Sequence, residues 1–538
     1  MNYRRFLAMI VACMAFFIVM DRWVAPTLGL VEEVPIEEEL PDEPVDVVPS
    51  ETEPMAEPLP VEAESFEVTE TVEAREDWVE NDWIRVRLDN RGGVVREVIL
   101  KQFHVSVSNG EPIRVVVPSK HAPGEIVLSQ GGKASEWMFH VETPDSHTVV
   151  YSATRGQVQI RKRFSLSDRY QLELECQVTG DPQALVVVAD GLRPMSAKDF
   201  ERPGLLSMGA INPKLMEVVW FADGDRENRA AAKVKDSLFS PLLEEPAFIS
   251  WFGMSDSFFG NVFRPDEPVG QIMVASHAVE GGQSDHERVP VVAVTVDETL
   301  KGSFYFGPKS ATELKRIDPD LVDLVDYGVA GVLSKLLYKA LSALHTWTGN
   351  WGWAIVLLTI LIRAALLPMT IPSVRSSFRM RKLQPQLDAL KKKFPGNDLE
   401  SRQKMQMEQM ALYKKEGINP FASCFIMLPQ VPIFIAYFSL LRNAIDLRQS
   451  EWIWWIQDLS VKDGTFVLPI LMGATMFLTQ LTMPMPGDPA QQKMMRFMPL
   501  MFTLMFVAMP SGLILYMITS NFFQLGQTMV MKWRYQGA

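Results

Sequence analysis

The sequence predicts a polytopic α-helical membrane protein of six spans that carries a large all-β sandwich outside the membrane. Three observations predict it. Six long apolar runs are spread over 538 residues, a strongly basic stretch separates two of them, and about 230 residues of short β-branched alternations stand between the first run and the rest. The chain is 47% hydrophobic and 22% charged with a net charge of −13, so it is neither disordered nor fibrous. The charge is local: residues 31–70 hold 15 Asp or Glu, 7 Pro and no Lys or Arg, which leaves the remainder near +2. An acidic pI therefore implies no global partner. Three scattered cysteines, Cys13, Cys176 and Cys424, build neither a disulfide framework nor a CxxC metal site.

The first apolar run, Phe6 to Met20, follows Arg4 and Arg5. It has the basic start of a signal peptide, but Met20, Asp21, Arg22 and Trp23 follow it instead of a small-x-small cleavage site. Ile10-Val11-Ala12-Cys13 looks like a lipoprotein box, yet the run continues seven residues past the cysteine. The expectation is an uncleaved anchor over residues 1–28. Residues 29–77 are acidic, rich in proline and poor in aromatics, and are expected to form an extended tether.

From 78 to 320 the pattern becomes strand-like. WIRVRL, the turn Asp89-Asn90-Arg91-Gly92-Gly93, and VVREVIL open it, and HTVVYSA, QVQIRKRFSL, YQLELECQV, ALVVVA, VVAVTV and SFYFG continue it. Little chemistry shows there. Gly302 to Ser310 almost spells a phosphate loop, but Pro308 stands where the motif needs Gly-Lys and has no N–H to offer. Six of the 7 histidines lie in this domain without metal-ligand spacing, so they read as surface or structurally satisfied residues. After it, residues 321–349 place Leu324, Val332, Leu336, Leu337, Leu341 and Leu344 at helical spacing. That is an amphipathic helix lying at the outer membrane surface, or, alternatively, packed on the sandwich.

The other five runs follow Gly349, at about 351–371, 425–441, 466–483, 497–509 and 512–531. Residues 373–422 carry 11 Lys or Arg against 5 acids, which marks a cytoplasmic loop and puts both termini inside. Two helical patterns there, Val374–Lys393 and Glu400–Glu416, flank Phe394-Pro395-Gly396-Asn397-Asp398. A basic helical hairpin results, bearing Arg379, Arg381, Lys382, Lys391, Lys392 and Lys393. It suits anionic lipid head groups or ribosomal RNA, and the positive-inside bias alone accounts for it equally well.

Proton-coupled transporters need ionisable groups inside the membrane, and the runs hold no Asp, Glu or His. Arg363 is the one charge deep within a run, twelve residues past Trp351 and so roughly 18 Å along a helix. A central arginine costs about 2.5–3.5 kcal/mol on insertion scales, so water or partners must reach it. Thr359 lies one turn earlier on the same face, and Gln430, Ser439, Thr503 and Asn521 on other spans could complete a wet cavity or serve as interhelical glue. Phe497–Met509 is short, which implies a locally thinned bilayer. Of 30 methionines, 19 follow residue 350, which fits lipid-facing packing or binding of varied apolar segments.

VDYG at 325–328, NWGWAI at 350–355, Arg363 followed by Pro368, KLQPQLDAL, ALYKKEGINP, the segment from Cys424 to LPQVPIF, LPILMGATMF, QQKMMRFMP and PSGLILYMITSN together resemble the YidC family of membrane protein insertases. The resemblance is to its Gram-negative form with a large periplasmic domain, and it spans nearly the whole chain. It implies a five-helix insertase core over residues 350–538, no covalent chemistry, no cofactor, metal or DNA, and a location in the bacterial inner membrane. It also implies a helper that inserts nascent membrane proteins alone or beside the Sec translocon. The family's groove arginine matches Arg363, and Thr359, Gln430 and Tyr516 fall among groove-lining positions. The chain departs from relatives at Met517, where a second tyrosine can stand. Its tail after Met531 is only KWRYQGA, short for a ribosome contact. A solute transporter and a tethered periplasmic carbohydrate enzyme with paired carboxylates are the rival readings.

Overall fold

The computed structural model describes residues 72–107, 110–129, 134–192, 216–234, 236–278, 288–327, 330–394, 399–416, 427–482 and 489–536. The expected anchor at 1–28, nearly all of the acidic tether, Cys13 and Cys424 lie outside them. Residues 74–538 form one compact unit.

Its N-terminal part is built from antiparallel sheets. Strands β1 (Glu76–Glu80), β2 (Ile84–Asp89), β3 (Val94–His104) and β4 (Pro112–Val116) make a four-stranded sheet in chain order. A nine-stranded sheet uses β6 (His140–Asp145), β7 (Thr148–Arg155), β8 (Val158–Leu166), β9 (Gln171–Thr179), β11 (Glu217–Ala222), β12 (Asp225–Ala230), β14 (Ile249–Ser255), β15 (Phe259–Pro265) and β18 (Thr299–Pro308). Their order is β12-β11-β14-β15-β18-β9-β8-β7-β6. The third sheet orders β13 (Ser240–Pro241), β16 (Met273–Ala278), β17 (Arg288–Thr295), β10 (Leu185–Asp190) and β5 (Ile126–Val127) as β13-β16-β17-β10-β5.

Each alternating segment of the sequence is a strand, and the alternation sets the buried face. In β9, Leu172, Leu174, Cys176 and Val178 point inward. In β8 the inward set is Ile160, Lys162, Phe164 and Leu166, so the same period that buries the aromatic buries a lysine. Its ammonium donates to three backbone carbonyls, Gly92 at 2.6 Å, Gly93 at 3.0 Å and Gly124 at 2.7 Å. Gly92 and Gly93 have φ of 84° and 56°, which turns both carbonyls toward Lys162 at the β2–β3 hairpin. Burial pulls the Lys162 pKa down to about 8, against the charges of Cys176 and Glu125. The near-phosphate-loop is a strand end: β18 runs to Pro308, and buried Lys309 donates inward to the Asp256 carbonyl at 2.9 Å.

Helices follow: α1 (Ala311–Ile317), α2 (Gly331–Thr348), α3 (Trp351–Ala365), α4 (Leu367–Lys382), α5 (Gln384–Lys393), α6 (Leu399–Lys415), α7 (Met427–Asn443), α8 (Val467–Thr482), α9 (Pro489–Phe506) and α10 (Ser511–Gln536). Each of the five downstream apolar runs is therefore mostly helical where it is described, with Leu366, Phe466 and 507–509 outside the helices. Two boundaries differ from expectation. The first run bends by 56° between α3 and α4, because Pro368 cannot donate to the carbonyl of Ala364. The hairpin's first helix starts at Leu367 and breaks at Leu383, just before Pro385 at the start of α5. Among the described residues no single helix is long and apolar enough to cross a membrane; α3 and α4 together reach that length and composition.

Helix α2 buries Ser334, Leu337 and Leu341 and packs against α3 and α7, and Ser334 Oγ donates to the Ala436 carbonyl at 3.1 Å. One core runs without interruption from the sheets into the helices. Polar hooks close this seam. Arg448 and Gln449 donate to the His104 carbonyl at 2.5 and 2.7 Å, Arg448 lies over the Phe259 ring at 5.6 Å, and Asn443 donates to the Asp326 carbonyl at 2.5 Å.

Candidate functional site

Helix α3 begins with Asn350, whose side chain accepts from the Trp353 N–H at 3.1 Å. This cap starts a helix that is apolar except at Thr359 and Arg363. Arg363 is half-buried, and its Nε donates to Ser520 Oγ on α10 at 2.8 Å. Among the described residues no carboxylate pairs with it. Thr359 is wholly buried and returns its hydroxyl to the Ile355 carbonyl at 2.7 Å, so it stands behind Arg363 and not at a surface. On α7, Gln430 donates to the Tyr516 hydroxyl of α10 at 2.9 Å. Tyr516 stacks on Tyr437 with ring centroids 4.4 Å apart. Thr359, Arg363, Gln430, Tyr437, Tyr516 and Ser520 thus form one polar seam where α3, α7 and α10 meet.

The remaining expected residues lie elsewhere or make weaker links. Asn521 donates to Thr475 Oγ1 of α8 at 3.3 Å, and Thr503 returns its hydroxyl to Pro499 in its own helix at 2.8 Å. Gly473 of α8 lies so close to Thr503 that a Cβ there would collide with its hydroxyl. These residues belong to the α8–α9–α10 contact. Met517 packs partly buried against the core, and Ser439 is half-buried on α7. Tyr437 was not among the expected residues; its signal was the seven-residue spacing from Gln430, two turns along the same face.

In the hairpin, Met380, Leu383 and Tyr413 form a small separate core with Leu387. Arg379, Lys382, Lys392 and Lys393 are exposed around it, and the side chains of Arg381 and Lys391 lie outside the description. A groove of about 460 Å³ runs between α5 and α6, with Leu390 and Leu412 in its wall and the Lys393–Glu408 pair, 3.2 Å apart, across it.

A second polar cluster sits in the third sheet. Asp190 accepts from the His121 backbone N–H at 2.6 Å, and its other oxygen meets His277 Nε2 at 2.6 Å. His121 Nδ1 lies 3.2 Å from buried Glu125. Both histidines are therefore structurally satisfied, and among the described residues no group of three or more His, Cys, Asp or Glu could hold a metal. Burial disfavours the charged His277, but the Asp190 hydrogen bond and charge outweigh it and raise its pKa. A raised folded value gives stability that is full below the ordinary histidine range and fades as pH rises through the folded value. His277→Gln is expected to remove this slope from melting curves recorded between mildly acidic and alkaline pH; an unchanged slope assigns it to other groups.

Residues 78–340 match the family described as the YidC periplasmic domain, and residues 343–537 the family described as the 60Kd inner membrane protein. The protein named membrane protein insertase YidC in Wolinella succinogenes is 36% identical over 72% of this chain and 66% of its own length. That of Saccharophagus degradans is 32% identical over 84% of this chain and 82% of its own. A crystal structure of an active YidC insertase with its first transmembrane domain resolved aligns to 84% of this chain and 92% of its own, at 19% identity and a TM-score of 0.37. With both halves matched and relatives above 30% identity aligned over most of their length, the chain belongs to the YidC family of membrane protein insertases.

Proposed function

We propose that the seam of α3, α7 and α10 is the wall of a hydrophilic groove in which a nascent segment is received, with Arg363 attracting acidic residues bound for the far side. The observation that carries this is a half-buried guanidinium in an apolar helix that donates to a neutral serine hydroxyl, with no carboxylate paired to it among the described residues. A cation with no paired anion keeps its field for an incoming carboxylate. The segment then leaves sideways into lipid between α7 and α10, whose described polar link is the Gln430–Tyr516 bond.

In this reading α3 with α4, α7, α8, α9 and α10 are spans and residues 1–28 add a sixth. Both termini lie in the cytoplasm with the sheets in the periplasm. Boundaries fall near residues 28, 77, 320 and 349, and the hairpin occupies 373–422. Exposed Arg379, Lys382, Lys392 and Lys393 support anionic lipids as partners, with the Sec translocon and a weak ribosome contact beside them. Thr503, Met517, Ser439 and Asn521 extend the groove wall.

A photocrosslinker at position 430 tests this against ribosome-stalled nascent chains of a membrane protein. Adducts that form while the apolar segment is just emerging are expected. A position 430 that crosslinks lipid but never nascent chain, while a lipid-facing site on α8 behaves identically, rejects the groove. A transporter or a carbohydrate enzyme gives no adduct at either site.

A further inference from the structure

The loop of residues 444–466 between α7 and α8 spends backbone conformation in an unusual way. Among the described residues, six other than glycine have positive φ, and three of them, Gln449 (58°), Trp454 (50°) and Phe466 (61°), fall in this loop. A left-handed backbone at a bulky aromatic is sterically disfavoured, because its Cβ crowds the neighbouring carbonyl. The loop is nevertheless firmly built. The Trp452 N–H donates to Ile456 at 3.0 Å, Leu459 to Ser450 at 3.1 Å and Gly512 of α10 to Leu459 at 2.9 Å. Asn350 ties Glu451 to the start of α3 at 3.0 Å, and Ile456 and Leu459 are buried.

What this frame holds outward is indole. Trp454 is 84% exposed and stacks on Trp455, which is 37% exposed, at 5.8 Å. Trp347 at the end of α2 is 78% exposed and Trp353 in the first turn of α3 is 46% exposed. In water, strain and exposed aromatic surface would both be losses, so the arrangement needs an occupant. The apolar outer face of α8 starts where the loop ends, with exposed Phe466, Val467, Ile470 and Leu471. Indole, an apolar ring with one N–H donor, partitions to the boundary between head groups and acyl chains.

We infer that the Trp454–Trp455 tip, with Trp347 and Trp353, is an interfacial anchor immersed in the outer leaflet of a phospholipid bilayer, which fixes the depth of the helical core. It rests on the spanning arrangement proposed above and gives it a vertical reference. Asn350 joins the anchor to the first residue of α3, and Arg363 stands twelve residues further, roughly 18 Å along that helix. The guanidinium is thereby held in the inner half of the membrane, whatever the flexibility of the hairpin.

The test uses the full chain in nanodiscs of phosphatidylcholine brominated either near the glycerol end or near the middle of the acyl chains. The emission lost in Trp454→Phe/Trp455→Phe, relative to the unaltered protein, isolates the two indoles. That difference is expected to disappear in shallow-brominated lipid and to survive largely in deep-brominated lipid. A difference quenched by aqueous iodide and by neither lipid overturns the anchor, as does one quenched by none of the three. Phe477→Trp, on the exposed face of α8, separates the two layers of the inference. If its indole is quenched by deep bromine while the tip is not, the anchor fails and the spans stand. If it too escapes quenching, the spanning arrangement falls and the anchor with it.

Discussion

Arg363→Ala is expected to cut the insertion of clients with acidic translocated tails by roughly tenfold or more, the equivalent of losing one hydrogen-bonded charge of about 1.5–3 kcal/mol. Clients whose translocated segments carry no acid are expected to insert almost as before. The reason for the selectivity is that no carboxylate of the described chain is paired with this guanidinium, so its removal strands no buried counter-charge. Among the described residues it takes the Arg363 donor from the Ser520 hydroxyl, and the melting temperature should hardly move. Arg363→Lys keeps the charge and loses the forked donor geometry, and so should fall between the two. Protease protection of client tails in proteoliposomes measures this. Equal protection of an acidic tail by both proteins would remove charge attraction from the mechanism.

Lys162→Met is expected to lower the melting temperature of the sheet domain by about 6–12 °C, from a loss of about 3 kcal/mol in a domain of this size. Methionine fills the lysine's volume, so no cavity is made. What is lost is the donor to Gly92, Gly93 and Gly124, and three buried carbonyls are left unpaired. Removing a buried charge offsets part of this, since burial already pulls the ammonium down to about 8. A lowered basic pKa makes the charge a liability below the folded value, relieved as pH climbs from about 8 toward the ordinary lysine range. The unaltered protein should therefore gain stability over that window and the variant should not. Calorimetry across it decides the matter; a variant as stable as its parent would mean that water replaces the ammonium.

The sheets were legible where one face is wet. The alternation in QIRKRF and QLELECQ places every inward residue of β8 and β9, Lys162 included, although the lysine reads as an outward residue until its parity is counted. The strands β11 (EVVWFA), β14 (ISWFGMS) and β15 (FGNVFRP) are buried on both faces, so period two vanishes from them and they read as undifferentiated apolar chain. The helices were legible as runs, but not the bend before Pro368 or the break before Pro385, where a missing N–H matters more than hydropathy. Arg363 stood out as a charge within a run. Its link to Ser520 and the stacking of Tyr437 on Tyr516 depend on how three helices cross. The pairing of His121 and His277 around Asp190 joins residues up to 156 positions apart in the numbering, which no local pattern carries.

The Arg448 and Gln449 hooks carry a consequence for anyone who would recombine relatives. The tip of β3 offers carbonyls, not side chains, to those two donors, and Phe259 supplies the face beneath the guanidinium. A chimera that takes the periplasmic half from one homologue and the helices from another will meet at this point two surfaces that were never selected together. Transplanting residues 444–450 along with the foreign half should restore a matched joint, and chimeras lacking that graft should be degraded before they are ever tested for insertion.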